Sequence, residues 1–204
     1  GQDAPPPEVE ARYREEMEAL ASHPGVNDAM AYLEAMEPRS LDDLIWLNEI
    51  PAPPFMEEER AEAYAEMLRA AGADSVWIDG IGNVIALRRG TEGDRTVAVD
   101  AHLDTVFPIE TDVTVQIRGD TLFAPGIGDD TRGLIVVRNV LEAMAAHDLR
   151  TRADLLFIGT VGEEGLGDLR GVKYLFGEEG VGEEGLRIDA FIAVDGGDET
   201  RVMN

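Results

Sequence analysis

Four short segments hold the residue types and spacings with the most chemical potential: His102-Leu103-Asp104, Gly126-Ile127-Gly128-Asp129-Asp130, Glu163-Glu164 and Asp195. Imidazole nitrogen and carboxylate oxygen are suitable zinc ligands, and one carboxylate can bridge two divalent ions in a hydrolytic site. An adjacent carboxylate can serve as general base toward water. Three of the four segments directly follow an apolar run that reads as a strand, so their side chains can converge at one edge of a sheet, where open α/β sheets place ligands.

Each segment also has a plainer explanation. His102 and Asp104 are two residues apart at a strand end, so extended backbone points both to one face and Asp104 can orient the imidazole; a strand-end histidine beside a loop aspartate is the alternative. Asp129 and Asp130 stand before a helix and can both cap it. Gly126-x-Gly128 superficially suggests a phosphate loop, but two aspartates at that helix start would repel a phosphate, so nucleotide binding is rejected. Glu163-Glu164 also reads as a solvated acidic turn, because the chain carries 42 Asp and Glu. Together, at the ends of different strands, the four segments say more than any one alone.

Composition limits the alternatives. With 204 residues, 44% of them hydrophobic, the chain can bury a sizeable core and is globular. A formal charge of −25 argues against nucleic acid and anionic membrane as partners and favours divalent cations. There is no cysteine, so any metal must be held by histidine and carboxylate, and no disulfide is available. No 18-residue apolar run is present. The start Gly1-Gln2-Asp3-Ala4-Pro5-Pro6-Pro7 lacks an initiator methionine and suits a processed periplasmic or secreted end as well as an arbitrary one, so the compartment, cytoplasmic or exported, stays open. Lys173 is the single lysine among 17 basic residues, a bias without functional meaning.

The elements that must position these groups follow from periodicity. Val9, Tyr13, Met17 and Leu20 mark an amphipathic helix, and Val26, Met30 and Leu33 a second. Ser40 with Asp43 resembles the capped start of a third helix through about Glu49, and a fourth runs from about Met56 to Ala71, stopped by Gly72. Strands and helices then alternate, which favours a layered α/β fold. Expected strands are Ser75–Ile78, Val84–Leu87, Thr96–Ala101, Val113–Ile117, Asp154–Val161 and Ala190–Asp195. A helix is expected over Thr131–His147 and a shorter one over Leu169–Phe176. Val161–Leu166 is echoed by Val181–Leu186, but only the first copy follows a strand, and the second reads as exposed acidic loop.

With these segments in order, the sequence resembles the M20 metallopeptidases, the group of peptidase T, carboxypeptidase G2 and succinyl-diaminopimelate desuccinylase. The matching pieces are Ala101–Pro108, Gly126–Gly133, Gly162–Gly167 and Val194–Gly197, and Ile50–Phe55 with Glu57–Arg60 looks like the family's substrate-side opening. The resemblance covers roughly residues 40 to 200. It implies a layered α/β/α zinc-peptidase-like catalytic domain at 40–204, preceded by a helical extension at 1–39. It also implies two Zn²⁺ per complete site, with Co²⁺ or Mn²⁺ as substitutes: Asp129 bridging, His102 and Asp195 on one ion, Glu164 on the other. Glu163 would be the general base for a metal-bridging water, Asp104 would hold His102, and the family's cis peptide would fall at Asp129-Asp130.

Two departures stand out. Many members have lysine after the Asp-Asp pair, where this chain has Thr131-Arg132. Family members also continue through an inserted lid or dimerisation domain, the implied route to a homodimer, to a further histidine that completes the second zinc site. His147 cannot replace it, since a continuous helix puts it on the order of 25 Å from Asp129, and His23 lies in the extension. The expectation is therefore a piece of a longer enzyme, weakly active or inactive alone. The leading function is a di-zinc, aminopeptidase-like hydrolase of short peptides; a carboxypeptidase or N-acyl amino acid amidohydrolase is the close alternative, and a noncatalytic metal-binding or interaction domain the distant one.

Overall fold

The structure, a computed structural model, describes residues 11–177 and 187–196. Pro5–Pro7, Val9 and the echo Val181–Leu186 lie outside the described residues. Four helices come first: α1 Ala11–Ala21, α2 Pro24–Ala35, α3 Glu37–Asn48 and α4 Glu58–Ala70. They are followed by β1 Ser75–Ile78, β2 Val84–Arg88, β3 Thr96–His102, β4 Gln116–Arg118 and β5 Thr121–Phe123. The remainder is α5 Arg132–Ala146, β6 Asp154–Thr160, α6 Arg170–Leu175 and β7 Ala190–Ala193.

Five strands form one mixed sheet in the order β1-β2-β6-β3-β7. β6, β3 and β7 are parallel, whereas β1 and β2 are antiparallel additions at one side. β2 and β6 are buried along their whole length, which explains why Val84–Leu87 and Leu155–Ile158 read as unbroken apolar runs. Their alternate residues feed two cores. Val84, Ala86, Leu155 and Phe157 pack with Tyr64 and Leu68 of α4 and Leu134, Val137 and Leu141 of α5. Ile85, Leu87, Leu156 and Ile158 face the other way, toward Leu175 of α6 and Phe191. The sheet is thus the middle of an α/β/α sandwich, and each fully buried large side chain contributes roughly 1.5–3 kcal/mol. Gly159 permits the closest helix approach: a Cβ there would lie 2.9 Å from the Tyr64 ring, whose hydroxyl donates to the Leu134 carbonyl at 3.0 Å.

Two expected elements are shifted. α3 begins at Glu37, with Pro38 in its first turn, and Ser40 is not the cap: inside the helix its hydroxyl donates to the Met36 carbonyl at 3.0 Å. Proline is preset for a first helical turn, and that outweighs serine's capping preference here. The boundary drawn at 39/40 lies inside this helix. The strand expected at Val113–Ile117 forms only at β4, paired in a two-stranded ribbon with the unanticipated β5. Gly119-Asp120 closes that ribbon, so the turn fixes the pairing and Val113 is left in a buried loop.

Candidate metal centre

The parallel strands decide where the chemistry gathers. β3 is flanked by β6 on one side and β7 on the other: the chain runs from β3 through α5 to β6, and from β6 through α6 on the opposite face back past β3 to β7. That is the switch point at which an open sheet has a crevice at its carboxyl end. His102 is the last residue of β3, Glu163-Glu164 follows β6, and Asp195 follows β7. Asp129 arrives from above, in the irregular turn Ile127–Thr131 that leads into α5.

The six sequence-predicted site residues come together. His102 Nε2 lies 2.9 Å from Asp129 Oδ1 and 3.8 Å from Asp195 Oδ1. Ligand atoms of His102, Glu163 and Glu164 lie within 4.8 Å of one another, and so do those of His102, Asp130 and Asp195. The two adjacent aspartates divide their work. Asp130 is 1% exposed; its carboxylate accepts the His102 N–H at 3.2 Å and the Gly133 N–H at 3.1 Å, capping α5 and tying it to β3. The Asp129 side chain is 60% exposed and faces the imidazole. The peptide between them is cis, as expected. Gly126 makes the turn possible, with φ at +75° and a Cβ position 2.5 Å from Thr105 Cγ2.

Asp104 is at the site but does more than hold the histidine. His102 Nδ1 meets the Asp104 backbone carbonyl at 2.9 Å, while the nearer carboxylate oxygen is 3.7 Å away and acts through its charge. That carboxylate accepts the N–H groups of both Glu163 and Glu164 at 2.9 Å, fastening the loop after β6 to the end of β3.

The electrostatics are those of a cation site. Burial alone would lower the His102 pKa, but Asp104, Asp130 and Asp129 override it and raise it to about 10. Burial raises Asp130 to about 7, with Asp195 and Asp129 adding to the shift against His102. Glu163 and Glu164 are both pushed up, first by burial; Asp195 reinforces the first and Asp129 the second. Among the described residues no arginine or lysine forms a salt bridge with Asp129, Asp195, Glu163 or Glu164. Clustered carboxylates around one imidazole, with no arginine or lysine paired to them among the described residues and no thiolate, are a donor set that fits divalent metal ions.

Sequence reasoning missed the buried scaffolding. Arg60, 1% exposed, donates to the carbonyls of Asn48 at 3.1 Å, Ile50 at 2.9 Å and Leu103 at 3.0 Å, and reaches Thr131 Oγ1 at 3.4 Å. Thr131 in turn donates to Asn48 Oδ1 at 3.0 Å. Arg60 thereby braces the chain just after His102 and the turn that carries Asp129. The signal was present: Arg60 shares the buried face of α4 with Ala61, Tyr64, Ala65 and Leu68. Glu57 is also internal, gripped by Arg170 at 2.9 and 2.8 Å, and it lines a pocket with Phe55 and Arg170. The other histidines stand apart from the cluster: His23 caps α2, and the His147 ring packs edge-on against Tyr32.

A sequence profile of peptidase family M20/M25/M40 matches residues 98–202, just over half of the chain and every segment of the cluster. The chain belongs to that family. No curated protein sequence gives a significant match. Solved M20 relatives share the fold. The dipeptidase Dug1p of Saccharomyces cerevisiae superposes with a TM-score of 0.63 at 17% identity, over 83% of this chain and 40% of its own. Aminopeptidase PepT of Bacillus cereus gives 0.60 at 20% identity, over 79% of this chain and 44% of its own. Human carnosine dipeptidase 1 gives 0.63 at 16%, over 83% and 41%. The chain therefore spans about two-fifths of the length of these relatives. Among the described residues, no helix is long and apolar enough to cross a membrane.

Proposed function

We propose that this chain carries most of the metal site of a di-zinc peptidase that hydrolyses short peptides, with aminopeptidase-like action. The observation that supports it is the gathering of His102, Asp129, Asp195, Glu163 and Glu164 at the carboxyl edge of β3, β6 and β7, with no arginine or lysine paired to these carboxylates among the described residues. In this proposal Asp129, His102 and Asp195 would hold one ion, and Asp129 and Glu164 would hold the other. The ions, when bound, supply Lewis acidity at the amide carbonyl and a water that ionises near neutral pH.

The protein's own groups do the rest. Glu163 accepts the proton of the attacking water and delivers it to the departing amine nitrogen, a positioned transfer that contributes about 10²–10⁴-fold. Asp104 keeps Glu163 and Glu164 at fixed reach from His102 through their backbone amides. Asp130 and Arg60 hold the Asp129 turn against β3. His102 is the one imidazole of the cluster, so the second ion would have only carboxylates from these residues, and hydrolysis by the 204-residue chain alone is expected to be weak. Residues 40–204 would be the catalytic unit and 1–39 an N-terminal helical extension.

The test is zinc stoichiometry after equilibration, beside peptide hydrolysis. The parent chain is expected to bind zinc, Asp129→Ala to lose it, and Glu163→Ala to keep it while hydrolysis falls by at least about 100-fold. Zinc retained in full by Asp129→Ala would place the metal elsewhere, and parental turnover in Glu163→Ala would remove the base.

A further inference from the structure

Asp129 stands on irregular backbone, at φ −135° and ψ 94°, in a turn with no strand ladder to hold it. Among the described residues its carboxylate has one hydrogen-bond partner, His102, so its position is inherited from the two ends of the turn. Both ends converge on one side chain. Asn48, the last residue of α3, is 0% exposed. Its Nδ2 donates to the Pro125 carbonyl at 3.3 Å, just before the turn, and to the Val113 carbonyl at 3.3 Å. Its Oδ1 accepts from the Thr131 hydroxyl at 3.0 Å, where the turn ends. That hydroxyl also lies 3.0 Å from the Gly126 carbonyl, which closes the turn on itself. Val113 and Pro125 flank the β4–β5 ribbon, so the ribbon, the metal turn and α3 are tied at one amide.

We propose that Asn48 is a positioning residue of the metal centre: by clamping both ends of the Pro125–Thr131 segment, it holds the Asp129 carboxylate in ligating position before any ion arrives. The inference deepens the metal-site reading above and rests on it. Buried backbone outside a helix or sheet must find its hydrogen bonds elsewhere, and here a side chain supplies them. Among side chains this short, only asparagine offers two N–H donors and a carbonyl acceptor together. Aspartate has the same shape but turns an oxygen toward two carbonyls, and an alkyl group leaves all three partners unpaired in a dry interior. Asn48 makes no hydrogen bond to a proposed ligand side chain among the described residues, so it acts through the turn.

The experiment is calorimetric zinc titration of the 204-residue chain and its variants, with the thermal midpoint of each metal-free sample measured alongside. Asn48→Asp is expected to weaken zinc binding about tenfold. Thr131→Val, which removes the hold at the other end of the turn without changing its shape, should weaken it by less. Leu141→Ala, a core truncation away from the turn, should lower the midpoint and leave zinc affinity within about twofold. Parental affinity in Asn48→Asp overturns the clamp, and so does an equal loss of affinity in Leu141→Ala, which would reduce the effect to stability. If Asn48→Asp does not fold, Thr131→Val decides, and parental affinity there overturns the clamp as well. Failure of the metal reading looks different: the parent chain itself then binds no zinc, and the inference falls with it.

Discussion

Two acidic neighbourhoods of this molecule are built from the same residue types and do opposite things. On the outer helices, Arg138 pairs with Asp43 and with Glu142 at 3.0 Å, while Glu142 also accepts from Arg39 at 2.6 Å and from Tyr32 at 2.9 Å. These bonds lace α2, α3 and α5 together. At the sheet edge, Asp129, Asp195, Glu163 and Glu164 face a single histidine. Carboxylates that meet arginine are neutralised at home and add to the fold, whereas those that crowd around one imidazole keep an excess of negative charge that an outside cation would relieve. In a chain of net charge −25, acidity by itself marks nothing, and the presence of partners separates framework from site.

The contrast breaks most visibly at Arg138, whose side chain is 3% exposed. Replacing it by alanine leaves Glu142 and Asp43 facing each other without their shared cation, and is expected to cost about 3 kcal/mol in urea unfolding. A loss below about 0.5 kcal/mol would class the helix network with surface ion pairs. Glu142→Gln comes next, at about 1–2 kcal/mol near neutral pH. Burial disfavours the Glu142 charge, but hydrogen bonds from Arg39 and Tyr32 and the arginine charges win, so its pKa lies below the ordinary glutamate value. Its contribution is therefore complete above the unfolded-state pKa and is lost as the pH falls through the folded one. Parent and variant should converge in acid; a gap that persists there would mean the glutamate acts by shape and not by charge.

The smallest effect has the opposite sign. Glu164 has a raised pKa, from burial and then from Asp129, so its ionised form weakens the metal-free fold at neutral pH. Glu164→Gln should raise the melting temperature of the metal-free chain by on the order of 1–2 °C. With saturating zinc the parent should overtake the variant, because the lost carboxylate is a proposed ligand. A variant less stable than the parent without metal would show that the cluster is not electrostatically frustrated.

The site was legible because its segments follow apolar runs. Leu155–Ile158 and Phe191–Ala193 mark strands by composition alone, and the residues after them fall at one sheet edge once those strands are parallel. Long-range hydrogen bonds left no comparable trace. Nothing local distinguishes Asp129 from Asp130, yet one caps α5 and the other faces His102. Nor does spacing reveal that Asp104 spends its carboxylate on amides about sixty positions away. β5 was missed because Thr121–Phe123 is three residues long and mostly exposed, too short for a pattern of period two to register.

That double grip of Asp104 limits how such a site can vary. It spans two successive amides, so the interval between the end of β6 and Glu163 cannot gain or lose a residue without unseating both glutamates at once. Ligand and base are inherited as one piece, and a lineage could retune either side chain far more readily than it could change the length of the segment that carries them.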